Sequence, residues 1–231
     1  METIVKIMLQ VHIAAGVLVL ITGLWQMIGS KGGKRHRIVG QTYFYGMTVI
    51  FVTAIPLCFL DPDMVFFGRI FLGAVSLFSY YFALMGMRFG RLKNLKKPEK
   101  MDKVIASAGL ISWMFMVGIF IWCLFNDHKT TGIILGVFSI IFGAAVIFDF
   151  RRLVWMDTTE KVYAGTSWLK NHNGRIMGSY IAAITAFCAN VQPFPLPVLN
   201  WVLPSALGFI FIPYFARQIR RMLGEIPRTK A

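Results

Sequence analysis

The sequence predicts an all-α integral membrane protein of about seven transmembrane helices, with the amino terminus outside and the carboxyl terminus in the cytoplasm. Three observations carry that expectation. Of the 231 residues, 57% are hydrophobic and only 15% charged, with a mean hydropathy of +0.65. A soluble domain has about 45–50% apolar and about 25% charged residues, and a fold of this size has too little interior to hide the excess. Second, apolar runs of the length that crosses hydrocarbon, about 20 residues, recur near 5–28, 39–60, 65–87, 104–125, 132–150, 176–192 and 198–216. Third, the net charge of +14 is sorted into alternate connections, and basic connections stay in the cytoplasm. The same sorting, into short segments rather than along one amphipathic face, argues against nucleic acid as the partner. The whole chain, 1–231, is expected to form one transmembrane helical domain in a bacterial inner membrane.

The first run follows Glu2 and Lys6 with no basic leader and no small-residue cleavage site, so it reads as a retained span. Helical spacing puts His12, Gly16, Val19, Gly23 and Gln26 on one stripe of it. Lys31, Lys34, Arg35 and Arg37 lead into the second run, and the acidic Asp61 and Asp63 separate it from the third. The third carries a stripe of Gly73, Ser76, Tyr80 and Ala83 and ends in a basic segment from Arg88 to Lys103. A short connection with Asn126, Asp127 and His128 joins the fourth run to the fifth, and His128 reads as a solvated loop residue. Arg69 and Asp149 stand near span ends, where long or terminal polar groups snorkel to the headgroups. The segment 151–175 adds Arg151, Arg152, Lys161, Lys170 and Arg175. The sixth run carries Gly178, Ala182, Thr185 and Ala189 on one stripe; such small residues let helix backbones approach. Pro193 and Pro197 precede the seventh run, and Arg217, Arg220, Arg221, Arg228 and Lys230 follow it. Cys58, Cys123 and Cys188 lack metal-ligand spacing and read as small apolar residues near the outer helix ends. Most of the six tryptophans fit interfacial belts.

An internal echo runs through the chain. Gly16 to Gly23 and Gly136 to Gly143 share a glycine spacing, and each leads through a basic segment to a similar entrance, KRHRIVGQ from Lys34 and KNHNGRIMGS from Lys170. A parallel 3+1+3 repeat, with the fourth span as linker, is the corresponding expectation.

Several polar residues are candidates for chemistry. A polar group in hydrocarbon is costly unless it faces the bundle interior, so His12 is expected to point inward. There it serves as a haem or metal ligand or a proton relay, or simply hydrogen-bonds to a neighbouring helix. His36 with Arg37, and His172 with Arg175, sit at cytoplasmic entrances of ascending helices, where amide groups, the helix dipole and guanidinium favour an anion. A second reading has His36 and His172 share a metal with Asp149 as oxygen ligand, and a third has them only anchor helix ends at the headgroups. Tyr43, Tyr80 and Tyr180 either line a polar cavity or pack. No nucleophile elbow, P-loop, HExxH or dinucleotide fingerprint is present, and the last span has no Lys for retinal.

The blocks HIAAGVLVLITG, KGGKRHRIVGQTYFYGM and HNGRIMGSYIAAITAF together resemble the uncharacterised bacterial membrane-protein family known as domain of unknown function 2306. The likeness spans nearly the whole chain, and its most specific part is His172, Arg175, Met177, Gly178, Ser179 and Tyr180. The resemblance implies a multi-spanning prokaryotic membrane protein and no particular activity. It adds weight to His12, His36, Arg37, Gly40, Tyr43, His172, Arg175, Ser179 and Tyr180 as ligand-binding candidates. Three functions fit: a small transport or ligand-binding bundle, more in keeping with a carrier than an enzyme; a redox protein holding b-type haem or a transition metal through histidines; and a lipid-interacting or assembly factor whose basic loops hold anionic lipid.

Overall fold

The computed structural model describes residues 2–60, 66–91, 97–126, 128–159 and 167–222. Among them every regular element is helical: α1 (Glu2–Ile28), α2 (Lys34–Leu60), α3 (Phe66–Arg91), α4 (Lys100–Leu124), α5 (Lys129–Phe150), α6 (Ser167–Val191) and α7 (Pro197–Met222). A π-helical turn, Arg151–Trp155, continues α5 directly. The first five helices are long and apolar enough to cross a membrane. A helix is the natural form for such segments, because every backbone polar group inside it is satisfied without water. Helix α6 stands outside that set because Lys170, Asn171, His172, Asn173 and Arg175 fill its first third.

Large apolar side chains cover the outside of the bundle. Ile13, Val17, Ile21 and Leu24 of α1, and Ile111, Met114, Phe115 and Ile121 of α4, are all exposed. In water so broad an apolar surface would drive association; against acyl chains it is at home.

Helix α1 lies along α2, α2 along α3, α3 along α6, α6 along α7, and α4 along α5. Helix α3 also meets α4 and α5, α1 crosses α6, and α7 touches α5, so α3 and α6 form the central pair. Phe78, Phe82, Met85 and Phe89 bury the α3 side of this centre, and Phe78 stacks on Phe138 of α5 at 5.5 Å. Small residues set the close approaches: a Cβ on Gly86 would come within 2.7 Å of the Ile176 side chain, and one on Gly178 within 2.9 Å of Phe82. The internal echo has no counterpart in the pairing of its first two members, since α1 lies along α2 whereas α5 lies along α4.

Polar residues tie the basic end together. Arg88 donates through Nε to Asp102 at 2.6 Å and through Nη2 to Glu99 at 2.6 Å, clamping the end of α3 to the start of α4. The Asp102 carboxylate in turn accepts from the Glu99 amide at 2.8 Å, a cap on the first turn of α4. Lys31 donates to the carbonyls of Gln26 and Met27, capping α1, and burial pulls its ammonium below the usual lysine range. Lys103 bonds Asp157 at 2.9 Å and holds that carboxyl below its usual range.

The helices overrun the apolar runs because hydropathy marks only the hydrocarbon stretch, while a helix continues through the headgroup layer. Helix α2 starts at Lys34 rather than 39, and α6 at Ser167 rather than 176. His172 and Arg175 therefore lie inside a helix, not at its entrance, and the amide donors expected beside them belong instead to the turn that starts at Ser167. All three cysteines are free thiols.

Candidate functional site

Three helices converge on one carboxylate. Asp149 continues the inward stripe of Phe138, Phe142 and Val146 on α5 and is fully buried. The expectation that it snorkels to the headgroups is corrected by that burial: its short side chain faces α3 and α6, and Arg175 reaches it there. The guanidinium donates through Nη2 to Asp149 Oδ1 at 2.7 Å and through Nε to Oδ2 at 3.3 Å. Nη2 also donates to the Ala145 carbonyl at 3.0 Å. Tyr81 of α3 completes the carboxylate by donating its hydroxyl to Oδ2 at 2.7 Å. The Phe82 and Phe89 rings lie beside the guanidinium, 5.5 and 5.8 Å from its carbon. Breaking such a pair by removing one partner typically costs about 3–5 kcal/mol, because a lone charge is left in a dry interior.

Arg175 also forms part of a cavity wall. A cavity of about 350 Å³ lies between α3, α5, α6 and α7, within the size range of small-molecule sites. Arg175 and Asn171 line its polar end; Phe78, Phe138, Ile141 and Ile181 line its apolar body, and Ser205 of α7 its far side. Gly174 leaves space here, since a Cβ at that position meets no atom within 4 Å. The cavity persists because α5 packs on α4, leaving its α6-facing side to be spanned mainly by the Arg175 side chain. The Nη2 and Nε donors of Arg175 are occupied, while Nη1 bonds to no group among the described residues. A second cavity, about 370 Å³, lies between α1, α6 and α7 and is almost wholly apolar, with Met27, Ile184, Cys188 and Leu207 among its walls.

The other candidates form a chain of contacts between α1, α2 and α6. His12, half-buried, bonds through Nδ1 to the Thr53 hydroxyl at 2.9 Å. Tyr43 is buried and its hydroxyl lies 2.7 Å from Ser179 Oγ, while Ser179 donates to the Ile176 carbonyl. Tyr180 donates to the Leu20 carbonyl at 3.0 Å, and its ring covers Gly23 so closely that a Cβ there would overlap it. Tyr80 stacks on Phe51 at 4.4 Å and bonds Thr48. These tyrosines thus join helices rather than line either cavity, except for Tyr180, which borders the apolar one.

At the basic end, Gln26 Nε2 donates to the His36 carbonyl at 2.7 Å, and the buried Gln26 Oε1 and His36 Nδ1 have no partner among the described residues. His172 bonds through Nδ1 to the Gly86 carbonyl at 2.7 Å. His36 and His172 lie within electrostatic reach of each other, and Arg37 is exposed. Among the described residues no three His, Cys, Asp or Glu side chains gather as a metal site. His36, His172 and Asp149 are not brought together as one, because Asp149 is taken up by Arg175 and Tyr81. His128 is exposed and stacks on Trp122 at 5.5 Å.

Tyr81 is the member that sequence reasoning missed. Its one signal is that it is a tyrosine in a run of aromatic and aliphatic residues, FSYYFAL, where it is indistinguishable from a packing residue. Asp149 gave a stronger signal: it is the single acid in the run 132–150, and an ionisable residue inside a span needs a named partner.

No protein-family model, no curated protein and no solved structure matches this chain.

Proposed function

We propose that this protein is a multi-pass ligand-binding bundle that carries or presents a small amphipathic molecule, and that the ligand sits in the cavity between α3, α5, α6 and α7. One observation carries the reading: an apolar cavity of ligand size ends on a part-buried arginine held by a buried carboxylate. Sites of this kind combine an apolar body with a few placed polar groups. Arg175 is the binding residue in this reading; Asp149 and Tyr81 position it. The reading includes seven spans in a bacterial inner membrane, amino terminus outside, with α6 and α7 crossing alongside the five most apolar helices. It also keeps the kinship with domain of unknown function 2306 and places anionic lipid against the basic end, where Lys34, Arg35, Arg37, Arg91 and Lys100 are exposed.

The test is Gly174→Leu. The new side chain enters free space at the polar end of the cavity, and leucine is the better helix former by about 0.8 kcal/mol, so the fold is retained. The wild-type chain, reconstituted in lipid nanodiscs and screened with amphipathic compounds, is expected to gain thermal stability with specific ligands, and Gly174→Leu to lose that gain. Equal gains in both proteins would overturn the cavity as the site.

A further inference from the structure

The geometry points to a ligand with an acidic head, a carboxylate or a phosphate monoester, bound through the Nη1 edge of Arg175 with its apolar tail along Phe78, Phe138, Ile141 and Ile181. This inference rests on the cavity reading and names the chemistry that the cavity selects.

A guanidinium has five N–H donors in a fixed fork. In Arg175 the Nε and Nη2 edge is spent on Asp149 and on the Ala145 carbonyl. The remaining Nη1 amine bonds to no atom of the described residues, and Arg175 lines the cavity. Two N–H donors in an apolar chamber need an acceptor, and a cationic head is repelled from them. Asp149 weakens the field at that edge, but its carboxylate sits against the Nε and Nη2 edge and leaves the Nη1 donors uncovered. An anionic acceptor is favoured over a neutral one because charge-assisted bonds to arginine are roughly twice as strong as neutral ones, more so in a low dielectric.

The rest of the chamber fixes the other end of the molecule. Beyond Arg175 the walls are Phe78, Phe138, Ile141 and Ile181, which accept hydrocarbon and offer no second charge. The cavity is open beside α5, where Ala144 and Phe148 line it and are themselves exposed. An amphiphile already in the membrane therefore reaches Arg175 sideways, head at the basic end and tail toward the middle of the bundle, without crossing bulk water.

The experiment uses the full chain in nanodiscs of zwitterionic lipid, titrated calorimetrically with dodecanoate, dodecyl phosphate and dodecanol. The two acids are expected to bind one per chain and about tenfold or more tighter than the alcohol, the ratio expected of one charge-assisted bond. Gly174→Leu is expected to abolish binding of all three. Replacing Arg175 alone risks the fold, so the charge test is the paired variant Asp149→Leu with Arg175→Met, which removes both buried charges together; it should fold and bind acid and alcohol alike. Dodecanol binding as tightly as the acids to wild type, and lost in Gly174→Leu, would refute the acidic head while leaving the cavity as the site. Acid binding undiminished by Gly174→Leu would overturn both. Adding phosphatidic acid, a bilayer lipid whose head is a phosphate monoester, to the nanodiscs separates the sources: competition with dodecanoate assigns the acid to a bilayer lipid, and its absence to a free amphiphile, the acidic head standing in either case.

Discussion

Asp149 and Arg175 illustrate how a single pair decides the chemistry of a helix bundle. Each alone would be a charge stranded among aromatic rings; together with Tyr81 they close a network in which both carboxylate oxygens accept. Arg175→Gln is expected to destabilise the protein by about 3–5 kcal/mol, the usual cost of orphaning one member of a buried pair, measured as a fall in unfolding midpoint in detergent. Tyr81→Phe removes one bond to a charged acceptor and is expected to cost about 1.5–3 kcal/mol by the same measurement. At the other side of α6, Tyr43→Phe should cost only about 1 kcal/mol, since Ser179 keeps its bond to Ile176. A Tyr43 loss equal to that of Tyr81 would show that the two networks are of equal weight. The candidate residues were readable one by one: His12, Tyr43, Arg175 and Tyr180 announce themselves as polar groups in apolar runs. Their pairings were not, because a contact between residue 81 and residue 149 depends on how two helices are rotated against each other.

Helix α6 is the element on which the fold turns. It touches α1, α3 and α7, and its residues alternate between the two cavities, with Arg175, Gly178 and Ala182 on one and Met177, Tyr180 and Ile184 on the other. The sequence shows an apolar stretch from 176, and the polar stretch before it reads as a loop; the helix nevertheless runs from Ser167 because its polar turns find partners in Gly86, Ala145 and Asp149. In α1, α4 and α5 the reverse difficulty holds: apolar residues surround the whole helix, so periodicity marks the span without marking the buried face. Close packing makes α6 intolerant on one side. Gly86→Val is expected to push α3 from α6, with a loss of about 1–3 kcal/mol from overpacking, seen in thermal unfolding. At its end, Gln192 takes φ +51° and donates its amide to the Cys188 carbonyl at 2.8 Å, the left-handed cap that suits glycine. Gln192→Gly is therefore expected to stabilise by about 0.5–1 kcal/mol, and a lower unfolding midpoint would contradict that account of the cap.

For the whole molecule, the polar ties and the apolar coat divide the chain between two solvents. Residues near 31, 99–103 and 157 are held by ion pairs and caps at the basic end, while the sides of α1 and α4 present isoleucine, methionine and phenylalanine. Composition and run length alone made the helical class and the five most apolar spans legible. The cavity was not, since it arises from which helices pair, and α5 pairs with α4 rather than with the helix next in sequence. The orientation proposed here places Ser30 and Lys97 in the cytoplasm and Asn126 outside, so membrane-impermeant thiol labelling of single cysteines at those positions in a cysteine-free chain should modify only Asn126→Cys in intact cells. Labelling of Ser30→Cys instead would invert the topology.

The most direct test of the central claim is photo-crosslinking with a diazirine-bearing fatty acid in reconstituted membranes, followed by peptide mapping. The account predicts saturable adducts at the cavity wall, around Ile141 to Phe148 of α5 and Gly174 to Ala182 of α6, and their loss in Gly174→Leu. Adducts confined to the outer faces of α1 and α4, at residues such as Ile13, Val17, Ile111 and Phe115, and never saturating, would show that the protein meets such molecules only as solvent.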